Sequence, residues 1–295
     1  MRITEGTIAG NYLYNLGQTR ERIVKLQTQL ASGKQVLKAS DNPQSADTIL
    51  RLTESMNQRE QYVKNAIDAQ GAADTTSTTL GQFSDILLSV KDLVVRASST
   101  AFTADKATFA EQADQLLGEM MDIGNTKFNG KYVFGGTQTM TPPFQMAADK
   151  SAVTANPDGI GGIINVQLGE SVSSQVNING ESGLNGTQYF DLVIQIRDSL
   201  KNGTFNASNF VDQVDSAADH VLNQASLSAS YAEHFRSVSE NLEEQQLQLK
   251  EYLSMVQDTD IAEATMKLKH EEVMLDAALN TGGRVIPKTL IDFLR

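Results

Sequence analysis

Apolar residues recur at intervals of seven toward both ends of this chain. Leu16, Ile23 and Leu30 form one series, with Leu26 between the last two and the polar Thr19 at one d position. A repeat of about 3.5 residues gives a helix one narrow apolar seam, which it must bury against a partner helix. Arg20, Glu21, Arg22 and Lys25 lie off that seam. The spacing predicts one helix from about Thr4 to Gly33, with Gly33 as its C-cap. Toward the other end Phe235, Leu242, Leu249 and Val256 repeat at strict sevens. After Asp258-Thr259-Asp260 the phase shifts, and Ile261, Leu268 and Leu275 continue in a new series that Asp260 is placed to cap. Gly282, Gly283 and Pro287 are expected to interrupt it ahead of an apolar tip, Leu290, Phe293 and Leu294. Two such seams predict that the terminal helices pair. Residues 1–40 hold six basic and two acidic side chains, residues 233–263 two basic and eight acidic, which favours the pairing. Exposed pairs contribute only about 0–1 kcal/mol each, so these charges equally describe solvated helix faces.

Between the ends the composition changes twice. Ser40-Asp41-Asn42-Pro43 opens a second helical stretch, with Asn42 as cap and Pro43 in the first turn, where a missing N–H costs nothing. Ile49, Met56 and Val63 recur at seven there, with Leu52 on the same face. A helix is predicted to about Ser99, although Asp74–Thr79 is a poor helix interior by propensity. Another is predicted from about Lys106 to Lys127. Residues 132–190 then hold nine of the 21 Gly and three of the five Pro, with few charges. Strands are predicted at Tyr132–Phe134, Ile163–Leu168 and Gln175–Asn179, the last ending in a tight turn at Asn179-Gly180. Helical composition returns from Asp191 to Leu200, and Ser208 is the candidate N-cap of a long helix. The fold class is therefore mainly α with a β insert, the insert leaning on its helical neighbours.

Little here points to chemistry. With no Cys among 295 residues there is no disulfide, thiolate nucleophile or Cys-ligated metal. The formal charge of -12 argues against a general nucleic-acid binder, whose footprint is basic. His220, His234 and His270 include no i, i+4 pair, and Met274 stands where H-E-x-x-H needs its second His. Asp258 and Asp260 have calcium-loop spacing, but Ile261, Ala262 and Glu263 supply no Gly turn, so capping is preferred. Gly159–Gly162 and Gly130-Lys131 match neither phosphate-binding glycine motif. Asn185, Asn202 and Asn206 open glycosylation sequons that read as turns. No stretch approaches the ~18–20 apolar residues of a membrane span, and no apolar signal region follows Met1. No catalytic, cofactor or metal site is expected. Long seams at both ends, with a polar β insert between them, point to a self-assembling structural protein.

The ends also carry a resemblance. Met1-Arg2-Ile3-Thr4, Gln29–Lys34, Ser40–Pro43, Gly130–Gly136 with Pro143-Phe144, Asp258–Ala264 and Thr289–Leu294 together resemble the FlgL family of flagellar hook-associated proteins, found at the hook–filament junction. Ala39 departs from the Pro expected before Ser40, and Pro287 lies close to the apolar tip. The resemblance implies a flagellin-like plan: paired terminal helices from residues 1–42 and 257–295, a helical bundle from 43–131 and 191–256, and an outer β domain from 132–190. It implies export through the flagellar type III channel without a cleaved signal peptide, and subunits forming a homo-oligomeric tier between a FlgK-type hook-associated protein and flagellin. It implies a FlgN-type chaperone on the C-terminal helix before export. On that plan Leu16, Ile23, Leu26 and Leu30 pack against Ile261, Leu268 and Leu275 as the assembly seam. Ser40, Asp41, Asn42 and Pro43 form the interdomain link, and Leu290, Phe293 and Leu294 contribute subunit or chaperone contacts. An ordinary intramolecular coiled coil, a plain capping turn and a frayed end are the corresponding bland readings. Flagellin itself is the nearest rival, followed by a cytoplasmic coiled-coil scaffold and by an enzyme with its site in the β insert.

Overall fold

The computed structural model describes residues 5–99 and 103–285. The chain divides into two compact units, Met1–Gln58 with Gln246–Arg295, and Arg59–Gln245. These divisions fall inside two continuous helices, not at Ser40–Pro43 or at Asp258.

In the first unit, α1 (Glu5–Ser32) packs along α7 (Ile261–Val285). Helix α2 (Pro43–Ser98) starts here and α6 (Val211–Gln257) ends here. Gly282 and Gly283 do not interrupt α7, which runs through both. A glycine costs a helix interior about 1 kcal/mol, which packing can offset. Pro287 and the tip residues lie outside the described residues.

The second unit holds the rest of α2 and α6, with α3 (Thr103–Gly124), α4 (Gly180–Leu184) and α5 (Gln188–Lys201). The Thr-rich stretch of α2 stays helical. Thr75, Thr76 and Thr79 donate their hydroxyls to carbonyls one turn back, at 2.7–2.8 Å. Ser77 donates to the Ala225 carbonyl at 3.0 Å, and Ser228 of α6 donates to Ala73 at 2.8 Å. Small hydroxylated side chains let two backbones approach and still satisfy their own polar groups.

Among the described residues six strands form three separate antiparallel hairpins: β1 (Lys127–Phe128) with β2 (Lys131–Tyr132), β3 (Phe144–Met146) with β4 (Val153–Ala155), and β5 (Asn165–Gln167) with β6 (Ser173–Gln175). The registers pair Phe128 with Lys131, Gln145 with Thr154 and Val166 with Ser174. Strands of two or three residues cannot enclose a core. The 132–190 segment instead sends Phe134, Phe144, Ile160, Ile178 and Leu184 into the same buried cluster as Phe83, Leu87, Leu117, Phe190 and Val214. Phe190 anchors it, edge-on to Phe83 at 5.7 Å and tilted against Phe144 at 4.9 Å.

Two predicted turns differ. Asn179 does not turn a hairpin; its side chain accepts from Ser182 N at 2.8 Å and caps α4. Ser208 is not a helix cap; Asn206 accepts its N–H at 3.2 Å, closing a short 3-10 turn before α6 begins at Val211. The buried guanidinium of Arg197, its side chain 5% exposed, ties α5 to α3 and to the β3–β4 turn. It donates to Asp114 at 2.9 Å, to Asp198 at 2.8 Å and to the Lys150 carbonyl at 2.7 Å.

Candidate functional site

The candidate site is the surface where the two chain ends meet. Helices α1 and α7 run antiparallel: Tyr12 donates to the Ala278 carbonyl at 2.6 Å, Arg22 pairs with Glu271 at 3.0 Å, and Lys34 bridges Asp258. On α1 the inward residues are Tyr12, Leu16, Thr19, Ile23, Leu26 and Leu30, at alternating steps of four and three. Ile23 and Thr19 are buried, and Leu16, Leu26 and Leu30 are half-buried. On α7 the same alternation runs through Ala264, Leu268, Glu271, Leu275, Ala278 and Gly282. Leu268 and Leu275 are half-buried. Ile261 is not in the seam and stands 63% exposed. Opposite it α1 has already ended at Ser32, and backbone pairing takes over; Ala264 is the first α7 side chain that the seam covers.

A polar layer crosses this seam. Arg22 donates through Nη2 to Thr19 Oγ1 at 3.0 Å and through Nε to Glu271 Oε1. Glu271 Oε2 is buried with no hydrogen-bond partner. Arg22 is half-exposed and one Glu271 oxygen goes unpaired, so the layer adds little stability, but its contacts are made in this alignment and favour one register. Farther out, a Cβ at Gly282 would meet the Tyr12 ring and hydroxyl, which would have to shift to admit it.

The Ser40–Pro43 segment joins α1 to α2 inside the first unit. Gly33, at φ +70°, turns the chain out of α1. Thr259 N then donates to the Gly33 carbonyl and Gln35 N to the Gln257 carbonyl, both at 2.8 Å. Asp41 accepts from Leu37 N at 3.2 Å and Lys38 N at 3.0 Å, and pairs with Lys25 at 2.9 Å. The Lys25 ammonium and the two backbone donors hold its carboxyl below the usual carboxylate range. Asn42 caps α2 by accepting from Ser45 N at 3.2 Å, with Pro43 in the first turn. Ser40 is exposed. Asp260 caps α7, accepting from Ala262 N at 2.9 Å and Glu263 N at 3.0 Å. Leu290, Phe293 and Leu294 lie outside the described residues.

Sequence reasoning placed Thr19 at a d position of the seam but passed over Tyr12, Ala264, Glu271, Ala278 and Gly282 as seam members. Counting back four from Leu16 reaches Tyr12, and counting back four from Leu268 reaches Ala264. The other signals are small or polar residues, which an apolar count ignores.

Of the histidines, His220 Nδ1 shares a hydrogen bond with Tyr189 Oη at 2.8 Å, and burial raises that phenol's pKa above its ordinary value. His234 lies beside the Phe235 ring, and His270 is exposed. Among the described residues no three His, Cys, Asp or Glu stand close enough to hold a metal ion. No described helix is long and apolar enough to cross a membrane.

Residues 3–139 match the family model of the bacterial flagellin N-terminal helical region. Flagellar hook-associated protein 3 of Escherichia coli K12 is 26% identical over 198 residues, 66% of this chain and 58% of that protein. A flagellin of Salmonella typhimurium is 28% identical over 204 residues, 66% of this chain and 38% of that protein. The chain spans about half the length of the curated hook-associated relatives it matches, 58% and 47%. In fold it is similar to the crystal structure of Bacillus cereus FlgL, with TM-score 0.58 and 20% identity, over 69% of this chain and 99% of that one. The resemblance carried by the terminal motifs is borne out by these similarities, as is the mainly α, flagellin-like fold class.

Proposed function

We propose that this chain is a structural hook–filament junction protein of the bacterial flagellum. In this reading it enters a tier of identical subunits through its terminal helices, between a FlgK-type hook-associated protein and flagellin. A FlgN-type chaperone holds its C-terminal helix before type III export, and no catalysis is involved. The observation that carries the reading is the surface of the α1–α7 pair. Its seam is filled, yet Leu13, Tyr14, Val24, Met266, Val273 and Leu279 remain exposed around it. A helix pair with apolar residues on its outer faces as well as in its seam is suited to packing among further helices. The likeness to hook-associated protein 3 and to FlgL supports the junction as the place of that packing.

Deletion of the gene tests the reading. Complete hooks without filaments, with flagellin shed into the medium, are expected; retained filaments and normal swimming overturn it. A second test is Leu268→Asp, which buries a charge in the seam. It should abolish incorporation into the junction and leave the Arg59–Gln245 unit folded by circular dichroism. Normal incorporation would refute assembly through the seam. The flagellin likeness favours a second reading, a filament subunit. Long filaments formed by the purified chain alone would support it.

A further inference from the structure

Beside the seam, the first unit carries a cleft of about 620 Å³ between the outer face of α1 and the segment that follows it. Val24 and Leu37 supply its apolar floor, both exposed. Arg20, Lys25, Lys38 and Asp41 stand around it. Lys25 is neutralised by Asp41. Arg20 and Lys38 have no ion-pair partner among the described residues. The cleft thus offers two apolar contacts flanked by two unpaired cations; Glu21 is the carboxylate left on its rim.

The last turns of α6 present the reverse pattern. Leu247 and Met255 are 58% and 77% exposed, eight residues apart on one face of the helix. Glu251 stands midway between them and Glu244 one turn before. Neither carboxylate has an ion-pair partner among the described residues. Lys250, next to this stripe, is the cation that Glu21 calls for.

We propose that the cleft on α1 takes the Glu244–Leu247–Glu251–Met255 face of α6 from a second copy of this chain. Leu247 and Met255 are exposed, so this face of α6 is not seated in the cleft of its own chain, and the proposed contact runs between copies. Met255 seats on Val24 and Leu247 on Leu37, while Glu251 reaches Arg20 and Glu244 reaches Lys38. Such a contact joins unlike surfaces, head to tail. Repeated, it generates a ring or an open helical array, where a self-complementary contact stops at a dimer. The proposal rests on the self-assembling reading above and names the surfaces through which neighbouring copies meet.

The absence of Cys from the chain allows a clean test. Val24→Cys and Met255→Cys chains, carrying different mass tags, are expressed together in place of the native chain, and isolated flagella are oxidised mildly. The mixed disulfide should far exceed both homodimers and the product from a Leu50→Cys and Met255→Cys control. Arg20→Glu in the Val24→Cys chain should lower its yield about fivefold or more. Glu251→Arg in the partner chain should restore it. A statistical mixture, or a disulfide mainly to another protein, overturns the contact. Should the chain be absent from flagella, the junction reading fails separately. The same pair oxidised as purified full-length chains then decides the contact by the same excess.

Discussion

Gly282 offers a test in which two effects of known sign oppose each other. Replacing a helical glycine by alanine ordinarily stabilises the helix by about 1 kcal/mol. Here the added methyl would overlap the Tyr12 ring, so the end of that side chain must shift from its place. The shift loses the Tyr12–Ala278 hydrogen bond, a net contribution of about 1 kcal/mol. It also exposes a half-buried aromatic face, worth about another 1 kcal/mol. The loss exceeds the gain, so Gly282→Ala should destabilise the α1–α7 pairing by about 1 kcal/mol. In a Tyr12→Ala background nothing opposes the methyl, and the same change should stabilise by about 1 kcal/mol. The assay is amide hydrogen exchange of the full chain, read at the α1 amides around Leu16, with amides of the Arg59–Gln245 unit as internal reference. Exchange should be about fivefold faster for Gly282→Ala and about fivefold slower for Gly282→Ala in the Tyr12→Ala background. Slower exchange in both backgrounds would refute the close approach of Tyr12 to Gly282, and with it the register of the seam at that end.

Phe190→Ala removes a fully buried ring that two other phenylalanines contact, and should cost about 3–5 kcal/mol, read as a lower urea midpoint for the Arg59–Gln245 unit. Burial pushes the Asp114 carboxyl up, but hydrogen bonds from Arg197 and Lys150 outweigh it and hold the carboxyl below its ordinary value of 3.8. A depressed folded-state value contributes stability that is full above pH 3.8 and lost as pH falls through the folded pKa. Asp114→Asn should therefore be less stable than the native chain at pH 6, and the gap should shrink as pH falls below 3.8; a constant gap in urea midpoint would contradict the pairing.

What was legible in the sequence followed from how strongly each residue signals alone. Leu16, Ile23 and Leu30 announce α1 because apolar spacing reports directly on a helix face. Asn42-Pro43 and Asp260 announce helix starts because capping uses only neighbouring backbone N–H groups. The Thr-rich turn of α2 argued weakly against helix, since its stability depends on hydroxyls that bond backward along α2 and across to α6. Asn179-Gly180 carries the same letters as a hairpin turn. Its cap role depends on α4 and on the close approach of the Phe134 carbonyl to Gly180. Nothing local in those residues encodes that distant neighbour.

The seam shows the same division more sharply. Strict sevens placed Ile261, Leu268 and Leu275 together, yet a heptad states only which face of a helix is apolar. Whether a partner is present along its whole length depends on the other helix. Ile261 falls outside because α1 ends at Ser32 and Gly33 turns the chain, a fact encoded more than two hundred residues away. Glu271 is the converse case. An apolar count reads it as a surface carboxylate, and only the arrival of Arg22 makes it a seam residue. Leucines and isoleucines alone would also allow the two helices to slide by a heptad at modest cost. The Arg22–Glu271 pair and the Tyr12–Gly282 approach are made in one alignment only and disfavour such slips. The apolar repeat therefore tells that the chain ends pair, while the residues that break the repeat determine how they pair.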